Sequence, residues 1–144
     1  MTDAANLTPV PAAAERRGAR ADAIVRVLAI VTLAGVGAQF LLAGAGAFGE
    51  SFDPHVLLGR ALGWWTLLLV VAVLVARAGR ADIVIAVVLV VLALPGQFLF
   101  AALGRQASGW FGTLHVLNGV AIAVLAHRLL QHANRRQRLR QQQG

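Results

Sequence analysis

The sequence predicts an all-α membrane protein: an up-down bundle of four transmembrane helices built from two tandem helical hairpins. Hydrophobicity is the first observation, since 58% of the 144 residues are hydrophobic and only 13% are charged. Four predominantly apolar stretches are each about 20 residues or longer, enough for a helix to cross a hydrocarbon core of ~30 Å. They cover residues 23–48, 54–76, 83–103 and 109–130. A spanning strand would need only ~10 residues with alternating polarity, which these stretches lack.

The distribution of charge predicts the orientation. All 13 basic residues are Arg, and they concentrate before the first stretch, between the second and third, and after the fourth. The positive-inside rule therefore predicts a multi-pass protein of the bacterial cytoplasmic membrane with both termini in the cytoplasm. We expect the arginines of residues 135–140 to contact anionic lipid head groups of the bilayer. Nucleic acid is not expected as a partner, because the net charge of +7 resides at helix ends on one side.

A weak internal repeat predicts the two hairpins. Three short matches occur in the same order in both halves of the chain, at offsets of 60, 58 and 60 residues. They pair residues 20–22 with 80–82, 39–46 with 97–104, and 55–59 with 115–119. Duplication of a hairpin keeps both copies in the same orientation, so a pseudo-two-fold axis along the membrane normal is expected.

The predicted divisions of the chain follow from this repeat and from composition. Residues 1–19 are predicted to be a disordered cytoplasmic leader, because they are rich in Ala, Pro and charge. The first helical hairpin is assigned to residues 20–77 and the second to residues 78–131. Residues 132–144 form a basic cytoplasmic tail.

Each helix has a predicted start. Side chains that accept hydrogen bonds from free N–H groups, and Pro in the first turn, are typical of helix N-termini. The predicted starts are Asp22 for the first helix, Asp53-Pro54 for the second, Asp82 for the third and Ser108 for the fourth. Pro95 lies deep in the third helix and predicts a kink, because proline lacks the N–H of the helical ladder. Short connections favour sequential antiparallel neighbours.

Repeat-related polar residues interrupt the apolar stretches toward their outer ends. Gln39 and Gln97 lie about six residues below the outer ends of the first and third helices, or ~9 Å. His55 and His115 lie near the starts of the second and fourth. Polar groups at such depth are costly and usually face the bundle interior. All four helices thus bring one polar group to the same level.

The two histidines predict a slot between the repeats. Each has Gly at i+4, Gly59 or Gly119, on the same helical face. Two such strips facing each other leave a slot with an imidazole on each wall. Neutral imidazole is a good ligand for iron, zinc or copper, and a haem would fill a flat apolar slot.

We therefore predict His55 and His115 as metal ligands and a b-type haem as the cofactor. Gln39 and Gln97 would surround the ligands, and Arg60 would meet a haem propionate at the outer rim. The complete set of predicted cofactor-binding residues is His55, His115, Gln39, Gln97, Arg60, Asn118, Gly59 and Gly119.

Two resemblances accompany the motifs His55-x3-Gly59 and Leu114-His115-x2-Asn118-Gly119. Residues 24–130 resemble a family of small uncharacterised four-helix bacterial integral membrane proteins, which implies the architecture and no activity. The histidines also resemble those of bis-histidine membrane haem proteins, such as the four-helix halves of haem A synthase and the cytochromes b561. That second resemblance implies a b-type haem held between histidines near helix ends.

Other functions stay open at this point. The polar layer is equally typical of helix packing in a non-enzymatic accessory or scaffold subunit, with a membrane protein partner or a second copy of the chain. A proton or quinone site and a small-molecule transporter are further alternatives. An enzyme is not expected, because the sequence shows no nucleophile–base pair, phosphate-binding Gly loop or paired carboxylates. Cysteine is absent, which excludes disulfides and thiolate metal sites.

Overall fold

The computed structural model describes residues 12–142, and this part of the chain is helical with short connections and no strand. Helix α1 spans Ala12–Ala47, α2 spans Asp53–Val75, α3 spans Arg80–Gln106 and α4 spans Gly109–Gln141. Each contains a segment long and apolar enough to cross a membrane. The predicted all-α, four-transmembrane-helix fold is confirmed, and the protein is a multi-pass membrane protein by this measure.

The helices pack as a square bundle. Helix α1 contacts α2 and α4, and α3 contacts α2 and α4, whereas no diagonal pair is in close backbone contact within the described residues. Sequential neighbours are therefore antiparallel. We call the end with the α1–α2 and α3–α4 connections the hairpin end, and the opposite end the termini end.

Apolar packing is densest between the middle of the bundle and the termini end. All four helices contribute fully buried side chains there, among them Val25, Leu69, Leu89 and Leu129. Large apolar side chains such as Leu41, Trp64 and Trp110 are instead exposed on the outside of the bundle. That arrangement suits a surface covered by lipid, since exposed apolar side chains are stable in hydrocarbon.

The start of α1 differs from the prediction. The helix begins at Ala12, so residues 12–19 are helical where a disordered leader was expected, and residues 1–11 lie outside the described residues. Asp22 consequently lies inside α1 and does not cap it. Asp82 is the third residue of α3, where Gly79 is the N-cap and no side chain makes a cap hydrogen bond. The capping roles predicted for Asp22 and Asp82 were wrong.

These two aspartates instead belong to what we call the terminal ionic cluster: Asp22, Asp82, His132, Arg136 and Arg140. Arg136 Nε donates to Asp22 Oδ1 at 2.7 Å, and Arg136 Nη1 donates to Asp82 Oδ2. His132 Nδ1 lies 2.5 Å from Asp82 Oδ1, and Arg140 Nη2 lies 3.3 Å from Asp22 Oδ2. One arginine of α4 thus joins the aspartates of both hairpins. Buried carboxylates need such partners, which explains why they do not cap helices.

Of the other two predicted helix caps, one is confirmed and one was wrong. Ser108 caps α4 as predicted, because its Oγ accepts a hydrogen bond from Trp110 N at 3.3 Å. Asp53 is the first residue of α2 and not its cap; its own N–H donates to Ser51 Oγ at 3.1 Å.

Pro95 produces a π-helical turn at Leu92–Gly96 where the sequence predicted a kink. Proline has no N–H to donate to Val91 O, and a wider turn accommodates the missing bond. Asn118 of α4 supports the turn, since its Nδ2 donates to Leu92 O at 2.9 Å. The irregularity of α3 is therefore tied to the neighbouring helix.

Candidate ligand-binding site

A cavity of about 690 Å³ extends from the hairpin end toward the middle of the bundle. Its volume lies within the range of small-molecule and cofactor sites, which are mostly apolar with a few polar groups. The apolar lining includes Val36, Phe40, Phe52 and Phe98. The polar and charged side chains at the cavity are Thr32, Gln39, His55, Arg60, Thr66, Gln97, Arg105 and His115.

Each histidine is oriented by a backbone carbonyl of the preceding helix. His55 Nδ1 lies 3.1 Å from Gln39 O, and His115 Nδ1 lies 3.1 Å from Gln97 O. A carbonyl oxygen only accepts hydrogen bonds, so each Nδ1 carries the proton and donates it. In the neutral imidazole, Nε2 then keeps its lone pair and is free to act as a ligand.

The two imidazoles face each other at close range. Their ring centroids are 6.1 Å apart, and the ring planes are inclined by 60°. His55 belongs to α2 and His115 to α4, the diagonal pair of helices. The open diagonal of the bundle thus leaves room for two side chains with equivalent hydrogen bonds.

Gly59, at i+4 from His55, makes room for Gln39, whereas a Cβ at Gly119 would make only an ordinary contact with Gln97. A Cβ added to Gly59 would lie 2.9 Å from Gln39 Nε2, and one added to Gly119 would lie 3.5 Å from Gln97 Nε2. Gln39 Nε2 also donates to His55 O at 3.0 Å, so Gln39 and His55 hold each other reciprocally. In the first hairpin, the spacing His55-x3-Gly59 therefore places the imidazole one helical turn from a gap that receives the Gln39 side chain.

Both glutamines keep an unsatisfied acceptor. Gln39 Oε1 and Gln97 Oε1 are buried and have no hydrogen-bond partner among the described residues. A buried polar atom without a partner is unfavourable, so each oxygen is available to a donor entering the site.

Seven of the eight predicted site residues line the cavity, including both histidines, both glutamines, Arg60 and the two glycines. Asn118 does not; it is buried and bonded to Leu92 O of α3. Arg105 lines the cavity and was not predicted. Its position at the end of the third apolar stretch was the available signal, since Arg60 also lies toward the hairpin end.

Gly59→Ala tests the packing of this site. Relative to Gly37→Ala, we expect it to lower the free energy of unfolding by about 1 kcal/mol, because the new methyl group displaces the Gln39 amide and breaks its hydrogen bond to His55 O. Thermal unfolding of the purified protein in detergent measures the change. Gly37→Ala is the matched control, since nothing lies within 4 Å of its added Cβ. Equal melting temperatures for the two variants would contradict the packing role.

Part of the chain is similar to a known protein family. Residues 39–102 are similar to a family of unknown function (DUF6220). The matched segment contains Gln39, His55, Gly59, Arg60 and Gln97, and ends before His115. No curated protein matches the chain, and no solved structure matches it.

Proposed function

We propose that the protein binds a b-type haem between His55 and His115. The observation that carries the proposal is the arrangement of the two imidazoles across the cavity. Each donates its Nδ1–H to a backbone carbonyl at 3.1 Å and leaves Nε2 free. This is the usual outer hydrogen bond of a metal-ligating histidine.

The separation of the rings suits one metal ion between them. Two metal–nitrogen bonds of ~2.0–2.1 Å, with each ring centre roughly 1 Å beyond its nitrogen, would give a centroid separation of about 6 Å if both Nε2 atoms pointed at the metal. The observed separation is 6.1 Å. Within residues 12–142 no group of three or more His, Cys, Asp or Glu side chains is placed to hold a metal ion. A macrocycle that brings four nitrogens of its own needs only two protein ligands.

The surroundings also suit a porphyrin. The cavity is largely apolar, as the haem ring requires, and Arg60 borders it as a partner for a propionate. A bound haem would supply one-electron redox chemistry. We place the site toward the outer leaflet of a bacterial cytoplasmic membrane, with both termini cytoplasmic, and assign it to electron transfer, redox sensing or haem handling. The arginine distribution supports that orientation.

We further propose that the two hairpins arose by duplication of a single ancestral hairpin. Gln39 O with His55 and Gln97 O with His115 form the same contact at the same distance. The spacings of 16 and 18 residues between the partners are similar in the two hairpins.

A second candidate is a non-enzymatic accessory or scaffold subunit, with a membrane protein or another copy of the chain as its partner. One observation favours it: each histidine joins the two helices of its own hairpin, α1 to α2 and α3 to α4. Polar contacts of this kind hold membrane helices together without any ligand.

An absorption spectrum distinguishes these candidates. We expect the protein, produced with supplementary haem and purified in mild detergent, to show a Soret band. His55→Ala and His115→Ala should each shift or weaken the band by removing one axial ligand, and the double variant should lose it. His127→Ala is the matched control, because His127 is exposed, lies outside the cavity and is hydrogen-bonded to Gln131.

Absence of a Soret band, or a band unchanged by both cavity substitutions, would overturn haem binding. A specific membrane partner that copurifies equally with the wild type and with both histidine variants would then support the scaffold function.

A further inference from the structure

Two arginines border the cavity from different helices. Arg60 lies in α2, and Arg105 lies in the last turn of α3 at the hairpin end. Both residues are exposed. In the part of the chain that the structure describes, the carboxylates that form ion pairs are Asp22 and Asp82, at the termini end, and neither arginine has an acidic partner. Two guanidinium groups thus remain available beside an apolar cavity.

At the inner end of the cavity, the lining residues include no positively charged side chain that could pair with an anion. The hydroxyl groups of Thr32 and Thr66 donate to Leu28 O at 2.8 Å and to Gly63 O at 2.6 Å. Farther toward the termini end, Leu69 and Leu89 are fully buried. An anionic group placed there would lose its hydration without gaining a charged partner. A ligand with an apolar body and anionic groups therefore has one favourable orientation, with its anionic groups at the hairpin end.

We propose that Arg60 and Arg105 bind the two carboxylates of the cavity ligand and make the site selective for dicarboxylate porphyrins over uncharged ones. This rests on the proposed haem function. The planar guanidinium group suits carboxylates, because it donates two parallel hydrogen bonds. Arg60 and Arg105 would hold the carboxylate edge of the ring at the hairpin end, and His55 and His115 would hold its metal. Arg105 is thereby assigned as a specificity-determining residue.

Removing the charges of the ligand tests this assignment. The full chain in detergent is titrated with haem b and with its dimethyl ester, and binding is followed at the Soret band. We expect the wild type to bind haem b at least roughly tenfold more tightly than the ester, because charge-assisted hydrogen bonds are lost with esterification. Arg60→Gln and Arg105→Gln should each weaken haem b binding roughly tenfold and leave ester binding unchanged.

Two controls separate this proposal from the haem proposal. Arg128→Gln removes one exposed positive charge from α4 outside this cavity and should preserve the preference for haem b. The Soret maximum should not move in the Arg60 and Arg105 variants, because both imidazoles remain. Equal affinity of the wild type for haem b and the ester would overturn the role of the arginines alone. No Soret band with either ligand would overturn both proposals.

Discussion

Arg136→Gln will destabilise the bundle by about 3 kcal/mol, because it leaves two buried carboxylates without their shared partner. Asp22 is 1% exposed and Asp82 is 4% exposed. Arg140 and His132 still contact one aspartate each in the variant. They sit at the edges of the cluster and do not bridge the two aspartates. Thermal or denaturant-induced unfolding in bicelles measures the loss.

Arg135→Gln is the control for that experiment. It removes the same charge one residue away, from an exposed side chain outside the terminal ionic cluster. We expect it to change the free energy of unfolding by less than about 0.5 kcal/mol. Adding Asp22→Asn and Asp82→Asn to Arg136→Gln should recover part of the stability, since no buried carboxylate is then left without its bridging arginine. Similar losses for Arg135→Gln and Arg136→Gln would contradict the bridging role.

Gly104→Ala should destabilise the second hairpin by about 2–3 kcal/mol, because the added methyl group meets backbone that cannot rotate away. Its Cβ would lie 2.9 Å from Gly112 N and 3.1 Å from Gly112 Cα. Helices α3 and α4 would have to separate at the hairpin end. The free energy of unfolding in bicelles is again the measurement.

Gly44→Ala is the comparison for Gly104→Ala. Its added Cβ has nothing within 4 Å, so only the gain in helix propensity remains. We expect Gly44→Ala to be neutral or stabilising by up to ~1 kcal/mol. If Gly104→Ala behaves in the same way, the close approach of α3 and α4 does not contribute to stability.

The membrane spans and five of the eight polar or charged side chains at the cavity were predictable because their signals are local or periodic. Uninterrupted apolar stretches indicate spanning helices without knowledge of the fold. The glutamines and histidines stood out because polar side chains are rare at that depth and recur at similar spacings in the two hairpins. Their partners were less predictable. The bonds from both imidazoles go to backbone carbonyls, and backbone atoms carry no residue-specific signal.

The terminal ionic cluster was missed for a different physical reason. Asp22 and Asp82 stand where helix caps are common, and a cap is a local interaction. Their actual partner, Arg136, is 114 residues from Asp22 and 54 from Asp82. It also lies in a basic segment that is typical of lipid contact. Contact with anionic lipids stays a prediction for the other arginines of that segment, such as the exposed Arg135 and Arg138.

Asn118 shows how a correctly identified polar residue can serve another purpose. Its depth and its neighbour His115 suggested a place in the cavity. Pro95 changes that outcome, because the π-helical turn at Leu92–Gly96 presents Leu92 O to α4 and Asn118 donates to it. Pro95 predicted an irregular turn in α3, but it did not indicate that α4 would supply the compensating hydrogen bond.

The bridge made by Arg136 has a consequence for the order of assembly. A ribosome produces Arg136 only after both hairpins have been synthesised, so the two aspartates must wait for their common partner. Each hairpin can enter the bilayer as a unit, yet Asp22 and Asp82 lack their shared arginine until α4 is complete. A chain interrupted before residue 136 would therefore hold two carboxylates without their shared arginine, which favours hydration over packing at the termini end.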